Sequence, residues 1–393
     1  MTDETGLDGG PWPGPLGNNR NNRLSPVPLS GKGNVRWRAE LPRRHATGVS
    51  VAGSGRCFVT SEGGIQALDG PQIRWASTMA AYGGCLLLRD GLLVTAEEDG
   101  LVVREQGNGT IASVIEPSPL SSPASMANGL LVFLASRQGE RVLRATTVLG
   151  EVRWEIKVHA LLYPPLVQHD RVIVAEGTVI RAFDRDGAAV WSAVRNGFRA
   201  APAVVTEPPR PGVVDGPLVG LPDGKVLVPS RSDEVMGYLV IDPRRGEVRA
   251  VPAHLRPGPL VVPLHDPATG RDLFVLPGWP DEEDHDEPRP TVTVMDLETG
   301  NGVLRHRVPS EVQSMAAGVT GPVAVAGSPS WDRWSQYHGW PGIDLRDDCY
   351  VLFLDQDGIL AEWKAGEPIT GPLAVGADGD LLVPVSGELV SVE

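Results

Sequence analysis

Apolar and polar residues alternate in short runs along most of the chain, and Asp-containing turns close many of these runs. The stretches "GGIQALDGPQIRWAS" and "YVLFLDQDGILAEWKA" each show a strand-like run, a turn and a second run that carries a Trp. Alternation with a period of two predicts half-buried β-strands. A sustained apolar period of 3.6 residues is missing from the sequence, so we predict an all-β chain with almost no helix.

The strand–turn–strand unit recurs at a regular spacing. Its Trp residues are Trp37, Trp75, Trp154, Trp191 and Trp363. The spacing is 38 from the first to the second, 37 from the third to the fourth, and 79 across an intervening unit without Trp. Two further strand-like runs precede each turn, and four short strands per 37 to 40 residues is typical of a β-propeller blade. We interpret these Trp residues as structural, docking one blade on the next.

The turns of the repeat share an Asp. These residues are Asp69, Asp184, Asp242, Asp296 and Asp355. An Asp side chain can accept hydrogen bonds from backbone N–H groups just downstream, and this stabilises a tight turn.

Counting the repeat predicts eight blades and a closed ring. The last unit, "DGDLLVPVSGELVSVE", stops before its fourth strand, and residues 35–41 supply an orphan strand at the other end of the chain. Pairing the two removes open sheet edges. We predict a largely irregular N-terminal arm over 1–33, tolerant of truncation to residue 30, and a single eight-bladed propeller over 34–393. The alternative, a two-domain β-sandwich protein, explains neither the period nor the orphan strand.

This pattern resembles the PQQ-like β-propeller repeat of eight-bladed quinoproteins and BamB-like proteins. The opening "PWPGPLGNNRNNRLSPV" is similar to the Trp-containing lead-in before the first blade of that family. The resemblance implies the fold for nearly the whole chain. Quinoprotein dehydrogenases of this fold hold their quinone with an adjacent-Cys disulfide, which this sequence lacks, so we expect no cofactor.

Three insertions interrupt the repeat. We assign 207–223 to an A–B connection, and 279–291 and 328–349 to the B–C connections of blades 6 and 7. The B–C and D–A connections of a propeller share one face, so the two B–C insertions are predicted to be neighbours at the mouth of a funnel. Long loops on a rigid scaffold are common places for function.

An aromatic cluster in these insertions is the candidate ligand-binding site. Its residues are Trp279, Trp331, Trp334, Tyr337, Trp340 and Arg346. Clustered Trp and Tyr beside charged groups fit a binding hot spot or an amphipathic pocket. The alternative is a miniature core that holds the long loop in place.

Candidate catalytic residues are scattered around the same predicted face. They are His338, Asp344, Asp347, Asp348, His45, His159 and His254. A His in the funnel could act as an acid or base at neutral pH. The alternative for each His is an ordinary surface position. The sequence shows no nucleophile elbow, P-loop or dinucleotide motif.

The acidic run within 279–291 could hold a calcium ion or be a solvated loop. Its candidate ligands are Asp281, Glu283, Asp284 and Asp286. The run lacks the Gly and terminal Glu of an EF-hand, and the eight His residues show no zinc spacing. We therefore expect no transition-metal site.

Composition limits the partners. A net charge of −14 argues against nucleic acid and anionic lipid. No signal-like or membrane-spanning run is present, the three Cys form no framework, and Arg far exceeds Lys, so a cytoplasmic bacterial monomer is expected. Two functions stay open. One is a binding module for a protein, peptide or small molecule. The other is a lyase, cyclase or hydrolase acting on a small molecule of specialised metabolism.

Overall fold

A computed structural model of the chain describes most of its residues. The described residues are 7–10, 12–14, 16–18, 23–41, 43–79, 81–97, 100–115, 124–137, 140–158, 163–194, 197–200, 213–214, 216–221, 223–232, 235–252, 260–266, 271–278, 290–329 and 346–393.

The described residues form eight antiparallel sheets, and the protein is an eight-bladed β-propeller of four-stranded blades. Within the described residues, one 3-10 turn, η1 (Arg346–Asp348), is the whole helical content. The predicted fold class is confirmed. Three of the eight sheets have a fifth strand, which the repeat pattern did not predict.

The sheets fall into two compact units, and unit 1 contains four of them together with residues 1–9 and 13–22. Blade 2 is β7 (Ala81–Leu87), β8 (Leu92–Glu97), β9 (Gly100–Glu105) and β10 (Ile111–Ile115). Blade 3 is β11 (Ser125–Ala127), β12 (Leu130–Arg137), β13 (Glu140–Thr146) and β14 (Val152–Lys157). Blade 4 is β15 (Leu166–Gln168), β16 (Arg171–Glu176), β17 (Val179–Phe183), β18 (Ala189–Val194) and β19 (Gly197–Ala200). Blade 5 is β20 (Val213–Val214), β21 (Val219–Gly220), β22 (Val226–Ser232), β23 (Val235–Asp242) and β24 (Glu247–Pro252).

Unit 2 contains the other four sheets and residues 10–12 and 23–34. Blade 1 is β3 (Ala46–Val51), β4 (Cys57–Ser61), β5 (Gly64–Asp69) and β6 (Gln72–Ser77). Blade 6 is β25 (Val262–Asp266), β26 (Arg271–Gly278), β27 (Thr291–Asp296) and β28 (Gly302–Arg307). Blade 7 is β29 (Val312–Gly318), β30 (Val323–Gly327), β31 (Tyr350–Leu354) and β32 (Ile359–Lys364), with β1 (Leu24–Ser25) added in parallel to β29. Blade 8 is β33 (Ala374–Val375), β34 (Leu381–Val385), β35 (Glu388–Val392) and β2 (Val35–Glu40).

The predicted closure is confirmed in blade 8. Strand β2 pairs antiparallel with β35, so that Val35 lies opposite Val392 and Glu40 opposite Glu388. The N-terminal strand thus completes the sheet that the C-terminal strands begin. Both edges that a linear array would expose are satisfied by this pairing.

Four of the five predicted Asp turns have the expected hydrogen bonds. The side chains of Asp184, Asp242, Asp296 and Asp355 each accept two bonds from backbone N–H groups two to four residues downstream. Asp69 is the exception, because its carboxylate accepts from Arg56 and Arg74 instead. These two guanidinium groups lower the pKa of Asp69, with the Arg56 hydrogen bond as the largest cause.

The predicted docking of a repeat Trp on the next blade is seen at Trp154, and two others pack within their own blade. Trp154 of blade 3 donates from Nε1 to the carbonyl of Arg185 in the turn of blade 4 at 2.8 Å. In the same turn, a Cβ at Gly187 would lie 2.9 Å from the Trp154 ring, so this contact requires glycine. Trp191 stacks near Phe198 of β19 at 5.4 Å, and Trp75 near Phe58 at 6.0 Å.

The assignment of 207–223 to an A–B connection is wrong. Strands β20 and β21 lie inside this range, and both pair with β22 as the split first strand of blade 5. The additional length therefore precedes the first strand, between β19 and β20. Val213 with Val214, and Leu218 with Val219, carry the strand, which the abundant Pro and Gly around them obscured.

The N-terminal segment packs more closely than an arm would. Trp12 is 1% exposed, and its backbone exchanges two hydrogen bonds with Val51 of blade 1 in unit 2. In unit 1, Leu7 is buried and bridges to Leu88 of blade 2. The backbone of this segment is irregular, yet its apolar side chains belong to the blade cores.

Candidate functional site

Two adjacent blades of unit 2 have unusually long connections between their second and third strands. In six blades this B–C connection is two residues long. In blade 6 it spans 279–290, and in blade 7 it spans 328–349. The predicted placement of both insertions is confirmed, and the strands beneath them show how the two connections are anchored.

The blade 6 connection ends on a well-paired hairpin. Gly278 lies opposite Thr291 in the β26–β27 ladder, and the Thr291 hydroxyl donates to the Gly278 carbonyl at 3.1 Å. Val308, just beyond β28, donates its N–H to the carbonyl of Pro290 at 2.9 Å. Residue 308 therefore fixes the point at which this connection returns to the sheet.

The blade 7 connection ends on a buried tyrosine. Tyr350, fully buried, begins β31 opposite Gly327, and its hydroxyl donates to the Ser310 carbonyl at 2.9 Å. The Ser310 hydroxyl in turn donates to the carbonyl of Asp348 at 2.6 Å. A Cβ at Gly327 would lie 2.4 Å from the tyrosine hydroxyl, so the ring occupies space that only glycine leaves. Burial, with the charge of Asp348, raises the pKa of Tyr350 far above its ordinary value, and the phenol stays neutral as a donor.

One short segment holds both connections. Residues 308–311 lead from β28 to β29, and their Val308 and Ser310 bond to the blade 6 and blade 7 connections respectively. We call the eight residues that form this support the loop platform. They are Gly278, Pro290, Thr291, Val308, Ser310, Gly327, Asp348 and Tyr350. One segment therefore bonds to the ends of both connections.

The other root of the blade 7 connection is tied to blade 8. The Ser328 carbonyl accepts from the Gln313 amide at 3.1 Å, and the Ser328 hydroxyl donates to the Ile369 carbonyl at 3.5 Å. Cys349 accepts through its carbonyl from the Ala365 N–H at 2.9 Å. Burial, with the charges of Asp348 and Glu367, raises the pKa of the Cys349 thiol to about 12, so this cysteine is not a nucleophile at neutral pH.

Most of the predicted site residues lie outside the described residues. This holds for Trp279, Trp331, Trp334, Tyr337, Trp340, His338, Asp344, His159 and His254, and for the candidate calcium ligands Asp281, Glu283, Asp284 and Asp286. Of the others, Asp347 is described by its backbone alone. Arg346 is exposed on η1, Asp348 is half-buried beside it, and His45 is exposed.

The described candidates lie in two connections of unit 2. His45 precedes Ala46, whose N–H donates to the Thr370 carbonyl at 3.1 Å. The neighbouring Ile369 accepts from Ser328 at the root of the blade 7 connection. His45 lies in the connection from β2 to β3, and Arg346 and Asp348 lie at the end of the blade 7 connection; that the two connections share a face stays a prediction.

Ser310 and Tyr350, which anchor the blade 7 connection, were not predicted from the sequence. The third strands of the other seven blades begin with Gly, Glu, Val or Thr, and a tyrosine at this position is an exception that could have been noticed. Ser310 has no such signal, because a serine in a short connection is common.

Cofactor and metal chemistry find no support in the described side chains. Over that part of the chain, no three His, Cys, Asp or Glu side chains group as metal ligands. The cysteines Cys57, Cys85 and Cys349 are buried thiols in three different blades, so they do not fit the adjacent pair that holds a quinone in quinoproteins. No helix among the described residues has the length and apolarity to cross a membrane.

Comparisons with known proteins bear on the fold. The family model described as "Outer membrane protein assembly factor BamB" matches residues 105–251. No curated protein matches the chain. The Dos1 propeller is 12% identical over 97% of this chain and 96% of its own, with a TM-score of 0.54.

Two further solved structures have lower TM-scores. Apo AztD from Citrobacter koseri is 15% identical over 84% of this chain and 87% of its own, with a TM-score of 0.48. Kuenenia stuttgartiensis hydrazine synthase is 12% identical over 90% of this chain and 97% of its own, with a TM-score of 0.46. Of the three, the likeness to the Dos1 propeller, at 12% identity, supports the fold alone. Over residues 105–251 the chain is similar to the PQQ-like repeat of that family model, and the eight sheets show the propeller fold of the whole chain.

Proposed function

We propose that this protein is a binding module whose ligand contacts the long B–C connections of blades 6 and 7. The observation that carries the proposal is the contrast in length, 12 and 22 residues in two adjacent blades against two in each of the other six. Ordering such loops costs conformational entropy. A chain that keeps its other hairpins minimal retains this length for a use other than closing the sheet.

The loop platform suits a binding role. It fixes where both connections leave the sheets, through the Val308 to Pro290 and Ser310 to Asp348 bonds. A rigid base lowers the entropy that the loops lose when they bind, and this raises affinity. The cytoplasmic location expected from the sequence remains part of this proposal.

The chemistry of the connections favours a cationic peptide as the ligand. Residues 279–289 contain six acidic residues and one basic residue, Arg289, and the two connections together contain four Trp and one Tyr. Carboxylates attract Arg and Lys, and Trp faces bind the same groups through cation–π contacts. Within a chain of net charge −14, this composition attracts positively charged partners over a distance.

The test is calorimetric titration of the protein with a deca-arginine peptide and with a deca-glutamate peptide. We expect the arginine peptide to bind with a dissociation constant of about 1 to 100 µM that weakens as salt is raised. Quenching of Trp fluorescence should accompany binding. Equal binding of both peptides, or of neither, would contradict the proposal.

An enzyme is the second candidate, and it is favoured by His45 in the D–A connection before blade 1 and by Arg346 and Asp348 in the B–C connection of blade 7, because such connections share one face of a propeller. A His and an Asp there could serve as acid and base on a small molecule. The two functions differ in the response to His45→Ala. This change should abolish turnover in an enzyme, and it should leave binding of a peptide by the blade 6 and 7 connections unchanged.

A further inference from the structure

The outermost strands of the eight blades differ in one respect that bears on association. All eight are described, and six of them contain at least one charged residue. The other two, β10 with the sequence IASVI and β18 with AVWSAV, contain none. Charged side chains on an edge strand prevent it from pairing with another molecule, so a neutral edge needs another form of protection.

Strand β18 is protected by its own chain. After two residues the chain turns back as β19, which pairs antiparallel with β18 from Trp191 opposite Ala200 to Val194 opposite Gly197. Phe198 of β19 packs on Trp191 and also approaches Gly246 of blade 5. Blade 4 therefore shows that an outer strand of this protein accepts a fifth strand when it lacks charge.

Strand β10 has no such cover within the described residues and ends its sheet. Ile111 is 51% exposed and Val114 is 52% exposed. The next blade adds apolar surface beside them, because Ser113 donates to the Val148 carbonyl at 2.7 Å and Leu149 in that turn is 75% exposed. A neutral strand edge with apolar neighbours is a site for strand addition.

The segment that follows β10 differs in sequence from β19. Residues 116–123 read EPSPLSSP and contain three prolines, Pro117, Pro119 and Pro123. Proline has no backbone N–H to donate, so a segment with three prolines is a poorer partner for β10 than GFRA is for β18.

We propose that β10 pairs with β10 of a second copy of this chain, forming a two-fold symmetric dimer. In an antiparallel pair centred on Ser113, Ala112 of one copy lies opposite Val114 of the other. Such a contact is self-complementary, as a two-fold interface requires. Two chains that each carry a net charge of −14 repel each other, and β10 offers an uncovered outer strand at which no charged side chains of either sign face each other. The proposal is independent of the peptide-binding function and replaces the monomer expected from the sequence.

The strength of the dimer is limited by its size. A pair of five-residue strands buries much less than the roughly 1,600 Å2 of a standard interface, even with Leu149 and Val152 added. We therefore expect a reversible dimer with a dissociation constant of about 1 to 100 µM.

The test is sedimentation velocity of the full chain over this concentration range, compared with two lysine variants. Val114→Lys places a charge at the proposed contact and should weaken dimerisation by at least about tenfold. Val303→Lys is the matched control, because Val303 is also 52% exposed but lies on β28, which is already charged. A wild-type monomer at all concentrations, or equal effects of both substitutions, would overturn the proposal.

Two further measurements keep the test independent of how Val114→Lys folds. The double variant Ala112→Glu with Val114→Lys brings opposite charges face to face in the proposed register and should restore dimerisation. In the wild-type protein, amide hydrogen exchange of residues 111–115 should slow as concentration rises. Exchange in β10 that does not depend on concentration, in a protein that still dimerises, would assign the contact to another surface and reject this one.

Discussion

The Tyr350 hydroxyl donates a hydrogen bond to the Ser310 carbonyl over 2.9 Å, with the ring fully buried against Gly327. Ser310 lies in the connection that also holds Pro290 through Val308. A tyrosine at the end of the longest connection thus bonds to the segment that anchors the neighbouring one. The stability of the candidate site should therefore depend on a residue that has no part in binding.

Tyr350→Phe should destabilise the protein by about 1 to 2 kcal/mol, because it removes a buried hydrogen bond and leaves the Ser310 carbonyl without this donor. The melting temperature measures the loss, and limited proteolysis within 328–349 should become faster. Phe353→Leu, in the same strand but away from Ser310, serves as a control that reduces packing without that local effect. Equal proteolysis in the two variants would show that Tyr350 has no special role at the connection.

The buried thiols predict a loss of stability in alkali. Burial raises the pKa of Cys57 and Cys349 from the ordinary 9.0 to about 12. The unfolded chain releases these protons above about pH 9, whereas the folded chain retains them, so the stabilisation is complete below pH 9 and is lost as pH rises towards 12.

Each thiol should add up to about 1.4 kcal/mol per pH unit to the decline in unfolding free energy. Urea unfolding at pH values from neutral to alkaline measures the slope. Cys349→Ala should make the slope shallower, whatever its effect at neutral pH. An unchanged slope would mean that the thiol ionises as easily in the folded protein as in the unfolded chain.

Trp12→Ala should cost about 3 to 5 kcal/mol, as large-to-small changes of buried aromatic residues do. Trp12 is 1% exposed and lies in a core cluster with Val49 and Val51. Chemical denaturation measures the change, and Leu149→Ala, at an exposed position, should be nearly neutral. A small effect of Trp12→Ala would restore the view that residues 1–30 are a dispensable arm.

A buried ion pair in blade 2 offers another stability test. Arg104 donates to both carboxylate oxygens of Glu97, at 3.0 and 2.9 Å, and both side chains are buried. Arg104→Met leaves a buried carboxylate without its cation and should cost about 3 to 5 kcal/mol. The double change Glu97→Leu with Arg104→Met should recover most of that loss. If the double variant is no more stable than the single one, the pair is not the source of the effect.

The fold could be predicted from the sequence because each repeat contains residue patterns that act over a few positions. The Asp turns and the Trp at fixed spacing each depend on neighbours along the chain. The orphan strand at 35–41 was visible because the last repeat lacks its fourth strand, and the pairing of this strand in blade 8 is confirmed. Strands β20 and β21 were missed because Pro and Gly around them favour a loop. Strand β19 was missed because GFRA is too short to show alternation.

The sequence predicted which connections are long, but not the hydrogen bonds that anchor them. The long connections 279–290 and 328–349 could be recognised because they interrupt the regular spacing of the repeat in the sequence. The bonds from Ser310 to Asp348 and from Tyr350 to Ser310 join residues 38 and 40 positions apart, and no local pattern reveals such pairs. The burial of Trp12 was likewise hidden, because a Trp between Pro and Gly residues reads as part of an irregular arm.

The most direct test of the proposed function replaces both long connections with two-residue turns. Residues 279–290 and 328–349 would each become Asn-Gly, the hairpin length of the other six blades. Calorimetric titration with the deca-arginine peptide, alongside a melting curve, then compares the shortened and full-length proteins. Our account predicts a shortened protein that still melts cooperatively and binds the peptide at least about tenfold more weakly. A shortened, folded protein that binds as tightly as the full chain would contradict it.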